Sequence, residues 1–149
     1  MLIFDPPLID TRPAPGGPSI TIETAPPEAT AVLVADLAIQ AHQLVLVIVE
    51  KTQDANMLAN ALHCLLGQEH ILDDAGEAQG ASDLPILSLP DWETLPYDSF
   101  SPHEDIVSER LKALSQLAAI DRGILILPIQ TLAHRLPPKT HLSGQTFVL

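Results

Sequence analysis

The chain has 149 residues, 46% of them hydrophobic, which is material for one core and about one domain's length. Seven Lys and Arg against nineteen Asp and Glu leave a net charge of −12. Twelve of those acids lie between Lys51 and Arg110, a stretch with no Lys or Arg, so the net charge sits in an acidic middle inside a balanced frame. Tight binding to nucleic-acid phosphates is excluded by that distribution, because displacing counterions needs clustered bases. The longest strongly apolar run, Leu44 to Val49, is far short of the roughly 20 residues that span a bilayer. The start, MLIFDPPLID, lacks the basic n-region of a secretory signal. A soluble, cytoplasmic protein with no membrane partner is expected. Cys64 is the only cysteine, which rules out an internal disulfide and fits a reducing compartment.

Seven of the fourteen prolines fall in the first 27 residues, so 1–27 reads as a proline-rich arm. From Thr30, a candidate cap, Leu33, Leu37 and Ala41 recur at helical spacing with Val34 and Ala38 beside them. Residues 44 to 49, LVLVIV, read as a strand buried on both faces, as in a helix-covered parallel sheet. Leu58, Ala61, Leu62 and Leu65 predict the buried face of a second helix that Gly67 ends. The polar, acidic stretch 67–83 reads as a loop, and Ile86 to Leu89 as a second buried strand. Ser101, Pro102 and Glu104 form a capping-box pattern for a third helix whose face is Val107, Leu111, Leu114 and Ala118. Glu104 and Asp105 suit the positive end of its dipole. A third strand, Ile124 to Leu127, is followed by a short helix to Arg135 and by a strand beginning at Thr146. The alternation predicts an α/β fold: a parallel sheet with helices on both faces, occupying 28–142, with 143–149 the truncated start of a following domain.

Chemistry is sought first at the turn after the first strand, where nucleotide-binding proteins place glycines that let backbone N–H groups wrap a phosphate. Here the turn is Glu50-Lys51-Thr52-Gln53-Asp54-Ala55, without a glycine. Lys51 and Thr52 match only the end of a P-loop, and Glu50 and Asp54 oppose phosphate, so a nucleotide-dependent enzyme using this pair is the alternative reading. His63, Cys64, His70, Asp73 and Asp74 offer metal-ligand chemistry, but His63 and Cys64 diverge by about 100° on a helix. A buried Cys64 beside an exposed His63 is expected, with no metal site. Neither a G-x-S-x-G elbow nor an activated cysteine setting is present, so no catalytic residue is named. The paired acids Asp73/Asp74 and Glu104/Asp105 read as solvated loop and cap residues. The segment DWETLPYDSFSPHEDI holds the only Trp, the only Tyr and one of three Phe. Trp92, Tyr97 and Phe100 are therefore either plugs at the end of the sheet or a partner surface, on this lobe or on a stand-alone acidic protein-binding module.

Residues 89 to 103, LPDWETLPYDSFSPH, then DIVSERL at 105–111, GILILPI at 123–129, Thr131-Leu132 and Arg135-Leu136-Pro137-Pro138 resemble the N-terminal region of bacterial transcription-repair coupling factors. The resemblance covers about the last two thirds of the chain and weakens before Leu44. It implies the first lobe of a module similar to UvrB, the damage-recognition helicase of nucleotide excision repair, with a degenerate helicase fold. It further implies a parent protein that displaces RNA polymerase stalled at DNA lesions and recruits UvrA, whose ATP-driven translocase lies further along. The family has lost the ATP motif in this lobe, which the Glu50 to Ala55 turn matches. UvrB carries a DNA-gripping aromatic hairpin after the segment matching Tyr97 to Pro102; here Pro102 leads directly into a helix. UvrA-contacting residues of the family lie mainly beyond Leu149. The expectation is a non-catalytic scaffold without a cofactor of its own, ATP being used elsewhere in the parent, touching UvrA mainly through the next domain and reaching RNA polymerase and DNA through the rest of the parent.

Overall fold

A computed structural model describes residues 25–67, 84–94 and 101–138, with Gly17, Ser19 and Thr21. Along the chain these form α1 (Pro27–Ala41), β1 (Leu44–Val49), α2 (Thr52–Leu65), β2 (Ile86–Ser88), α3 (Glu104–Ala119), β3 (Gly123–Pro128) and a 3-10 turn over Ile129–Ala133. The three strands are parallel in the order β1-β3-β2. Leu44 faces Gly123 at one end of the β1–β3 ladder and Val49 faces Pro128 at the other. Parallel crossovers are right-handed. Passing from β1 over β3 to β2 and then back to β3 reverses direction, so α2 and α3 must lie on opposite faces.

Alternation along β3 supplies both faces. Ile124 and Ile126 are fully buried with Ala31, Ala35 and Ala38 of α1 and Ala55, Leu58, Ala59 and Leu62 of α2. Leu125 and Leu127 pack instead with Leu87, Leu89 and with Ala113 and Leu114 of α3. Each buried leucine or isoleucine among them contributes about 1.5–3 kcal/mol on burial, and each alanine less. The alanines between α1 and α2 let the two helices approach closely while covering the same side of the sheet.

The parallel α/β fold with helices on both faces is as expected, but several faces and caps are not. Helix α1 begins at Pro27, with Pro26 as its cap residue, rather than at Thr30. Proline tolerates this first turn because its missing N–H has no intrahelical partner there. The Thr30 hydroxyl instead donates back to the Pro26 carbonyl at 3.2 Å. Its buried residues are Ala31, Ala35, Asp36 and Ala38; Leu33 and Leu37 are only half-buried. In α2 the stripe turns to Ala55, Leu58, Ala59 and Leu62, leaving Leu65 42% exposed. Gly67 closes the helix at φ 66 with a bond from its N–H to the Cys64 carbonyl. Strand β1 is not buried on both faces: Leu46 and Ile48 are 49% and 48% exposed among the described residues. The reason is its place at an edge, since α3 packs over β2 and the neighbouring part of β3.

Helix α3 is capped two residues later than the capping box predicts. His103, not Ser101, is the cap residue, and its Nδ1 accepts from the Asp105 backbone N–H at 3.4 Å. Its buried residues are Arg110, Ala113 and Leu114, while Leu111 is 53% exposed and Ala118 is exposed. Strand β2 ends at Ser88, although Leu89 still donates to the Ile126 carbonyl at 2.9 Å. The helix expected up to Arg135 is the short 3-10 turn ending at Ala133. The strand expected from Thr146 and most of the arm lie outside the described residues.

Gly123 opens β3 at φ 151, and a Cβ there would stand 2.7 Å from the Pro85 carbonyl oxygen. Gly123→Ala should therefore lower stability by about 2 kcal/mol or more in equilibrium denaturation, from strain and displacement of the β2 approach. His42 caps α1 at φ 51, a conformation that suits glycine. His42→Gly should raise stability by about 1 kcal/mol in the same assay.

Candidate functional site

Two places carry residues singled out by the sequence, and both lie at the carboxyl ends of the parallel strands, where ligands of α/β sheets usually bind. At the end of β1, Lys51 is the cap residue of α2 in extended conformation, without a side-chain cap bond. Its Nζ lies 3.8 Å from Glu50, and both side chains are mostly solvent-exposed. Such a pair contributes little to stability. Its importance is geometric: the one base of the turn is drawn toward a carboxylate. Thr52 starts the helix and Asp54 stands in its first turn.

Cys64 is exposed and His63 half-buried, which reverses the expected order. The stripe through Leu58 and Leu62 decides this, because position 64 is about 200° around the helix from position 62. Among the described residues no three His, Cys, Asp or Glu side chains gather as a metal site; His70, Asp73 and Asp74 lie outside them.

The second place follows β2, in the run Leu89 to Thr94 that opens the aromatic-rich segment. Arg110 reaches into it from α3. It is 2% exposed, its Nη1 donates to the Pro90 carbonyl, and its guanidinium lies 4.2 Å from the centroid of the Trp92 ring. Burial pulls the Arg110 pKa below its ordinary value, and the Asp91 carboxylate pushes it back up. The group stays charged, since arginine starts so high. One side chain thus ties β2's exit to α3 through a charge-assisted hydrogen bond and a ring stack.

Asp91 extends the node toward the end of β3. Its Oδ1 lies 3.8 Å from His134 Nδ1, within ion-pair range if the imidazole is protonated but too far for a hydrogen bond. His134 in turn donates its backbone N–H to the Thr131 carbonyl at 3.2 Å. Among the described residues, Arg110 Nε, Asp91 Oδ1, Thr131 Oγ1 and His134 Nδ1 are buried without a hydrogen-bond partner. Glu93 takes φ 57, a left-handed conformation that is costly for a residue other than glycine and turns the chain just after Trp92.

Trp92 is therefore half-buried, with one face on Arg110; Tyr97 and Phe100 lie outside the described residues. Residue patterning misses Arg110 and His134 as organisers of this loop. A buried arginine interrupts the apolar stripe of α3 and gives no hydropathy signal. Asp36, fully buried in α1 and accepting from Gln40 Nε2 at 2.9 Å, is missed for the same reason, though its i,i+4 spacing to Gln40 is a usable hint.

No helix among the described residues is long and apolar enough to cross a membrane. Arg110→Ala should destabilise the chain by about 2–4 kcal/mol, combining a lost charged hydrogen bond with a lost desolvated ring contact. Because Trp92 is the only tryptophan, its fluorescence reports the node directly. The emission should shift to the red in native buffer, and an unchanged spectrum would show that the stack does not hold the loop.

No protein-family model matches the chain. It is 52% identical to the transcription-repair-coupling factor of Escherichia coli K12 over 68 residues, 46% of this chain and 6% of that protein. With the transcription-repair-coupling factor of Haemophilus influenzae the identity is 36% over 123 residues, 83% of this chain and 9% of that protein. The chain spans less than a tenth of the length of these curated relatives.

Proposed function

Because the chain belongs by sequence with the transcription-repair-coupling factors, we propose that it is the first, UvrB-like lobe of such a factor and serves there as a non-catalytic scaffold. The relation to the Haemophilus influenzae protein, extending over 83% of this chain, is the observation that carries the reading. In it, the parent protein displaces RNA polymerase stalled at a DNA lesion and recruits UvrA for nucleotide excision repair. This lobe supports the neighbouring domain that holds UvrA, while ATP is used by a motor elsewhere in the parent.

Local geometry supports the scaffold role over a nucleotide-dependent one. The strand-to-helix turn has no glycine to bring backbone N–H groups against a phosphate, and Lys51 sits beside Glu50. The loop after β2 is anchored by a buried Arg110 that has no freedom to act on a substrate. Within the acidic 52–109 segment, the described residues Asp54, Glu93, Glu104, Asp105 and Glu109 are exposed. This solvent-facing negative charge keeps free DNA away and suits a basic neighbouring domain.

A pull-down separates the parts of this reading. UvrA should be retained by the chain extended through its following domain and weakly, if at all, by the 149 residues alone. Equal retention by both would place the UvrA contact on this lobe and overturn the supporting role. Duplex DNA should show no binding at micromolar concentration and about 0.1 M salt. Calorimetric ATP binding that disappears in Lys51→Ala would favour the nucleotide-dependent alternative.

A further inference from the structure

The start of α1, the end of β1 and the first turns of α2 line a half-open cavity of about 170 Å³, formed by Pro27, Thr30, Val49, Asp54, Met57 and Leu58. A cavity of about 150 Å³ already admits a benzene ring when its walls are apolar. Here the walls are apolar: Leu58 is 5% exposed, Val49 is half-buried, and the Thr30 hydroxyl is committed to the Pro26 carbonyl. Met57, 48% exposed, adds a flexible and polarisable thioether of the kind that moulds itself to different apolar guests.

One ionised group lines the cavity, and it is a carboxylate. Asp54 is exposed and forms no ion pair among the described residues. Glu28, next to the lining Pro27, is also exposed, and the nearby Lys51 is paired with Glu50. The cavity lies beside the strand-to-helix turn, whose residues 50–53 do not line it, and its one charged lining residue is the acid Asp54. An anion is repelled there, and a cation beside an apolar group is attracted.

We propose that this cavity is a docking site for a basic, hydrophobic segment of a partner protein: a leucine or phenylalanine side chain fills it while an adjacent lysine or arginine pairs with Asp54. Charge complementarity selects this occupant, since the mouth is acidic and its walls carry no base.

The test uses the 149-residue chain labelled with ¹⁵N and three blocked peptides, Gly-Lys-Phe-Lys-Gly, Gly-Lys-Ala-Lys-Gly and Gly-Glu-Phe-Glu-Gly. The first should shift the amide signals of Ala55, Met57 and Leu58 saturably. The alanine and glutamate peptides should bind at least tenfold more weakly. Asp54→Asn should weaken the first peptide about fivefold, the scale of one exposed ion pair. Met57→Ala should weaken it while leaving its salt dependence intact. Both sites are exposed, so signals far from α2 check that each variant is folded. Equal shifts by all three peptides, tighter binding of the glutamate peptide, or an Asp54→Asn variant that binds as well as the parent would each overturn the proposal.

Discussion

Strand β3 is the constraint on which the rest of the structure depends. Every residue from Gly123 to Pro128 is buried. It has hydrogen-bonded neighbours on both edges and helices on both faces. Its alternating side chains are divided between two separate cores, so a one-residue slip would exchange Ile124 and Ile126 with Leu125 and Leu127 and misfit both. Gly123 sets where that register begins, because only a residue without a Cβ lets the Pro85 carbonyl come close enough to receive the Ile124 N–H at 2.8 Å. The positions of α2, α3 and the two strand ends follow from this one registered strand.

The loop after β2 is held by a different kind of force. Apolar burial brings Leu87 and Leu89 to the sheet, but the direction of the chain beyond them is set by polar contacts through Arg110. Desolvating a guanidinium is costly, and the Pro90 carbonyl, the Trp92 ring and the nearby Asp91 offset part of that cost. An arginine in that role makes the loop specific as well as stable: a lysine has neither the planar face for the ring nor the same fork of donors. This accounts for the course of the chain from Leu89 to Thr94.

Much of the architecture was legible in the residues. The runs LVLVIV and GILILP announce strands of a covered sheet, their alternation with helical patterns announces parallel connections, and Gly67 announces the end of α2. The segment from Leu89 onward carries a family resemblance because its residue types are unusual in combination, and the curated relatives bear it out. The helix faces were less legible. In α1 the alanines, not the leucines, are the most buried apolar residues, and they meet an α2 face made of Ala55 and Ala59 together with Leu58 and Leu62, because two helices share one face of the sheet and small residues allow the approach. Hydropathy ranks leucine above alanine and so rotates the expected stripe.

The sequence by itself determined the class of fold, the order of its strands and helices, the acidic middle and the absence of a glycine-rich phosphate turn, all properties of local composition and periodicity. Only the tertiary structure decided which strand lies at the centre, leaving Leu46 and Ile48 open on an edge, and that Arg110 is buried while Leu111 faces water. It also placed an apolar cavity beside Asp54, where the sequence showed only an acidic turn. These outcomes depend on contacts between residues far apart in the chain: Arg110 with Pro90 and Trp92, Gly123 with Pro85, and Pro27 with Val49 and Leu58 around one cavity. No window of neighbouring residues contains the partners that make such contacts favourable.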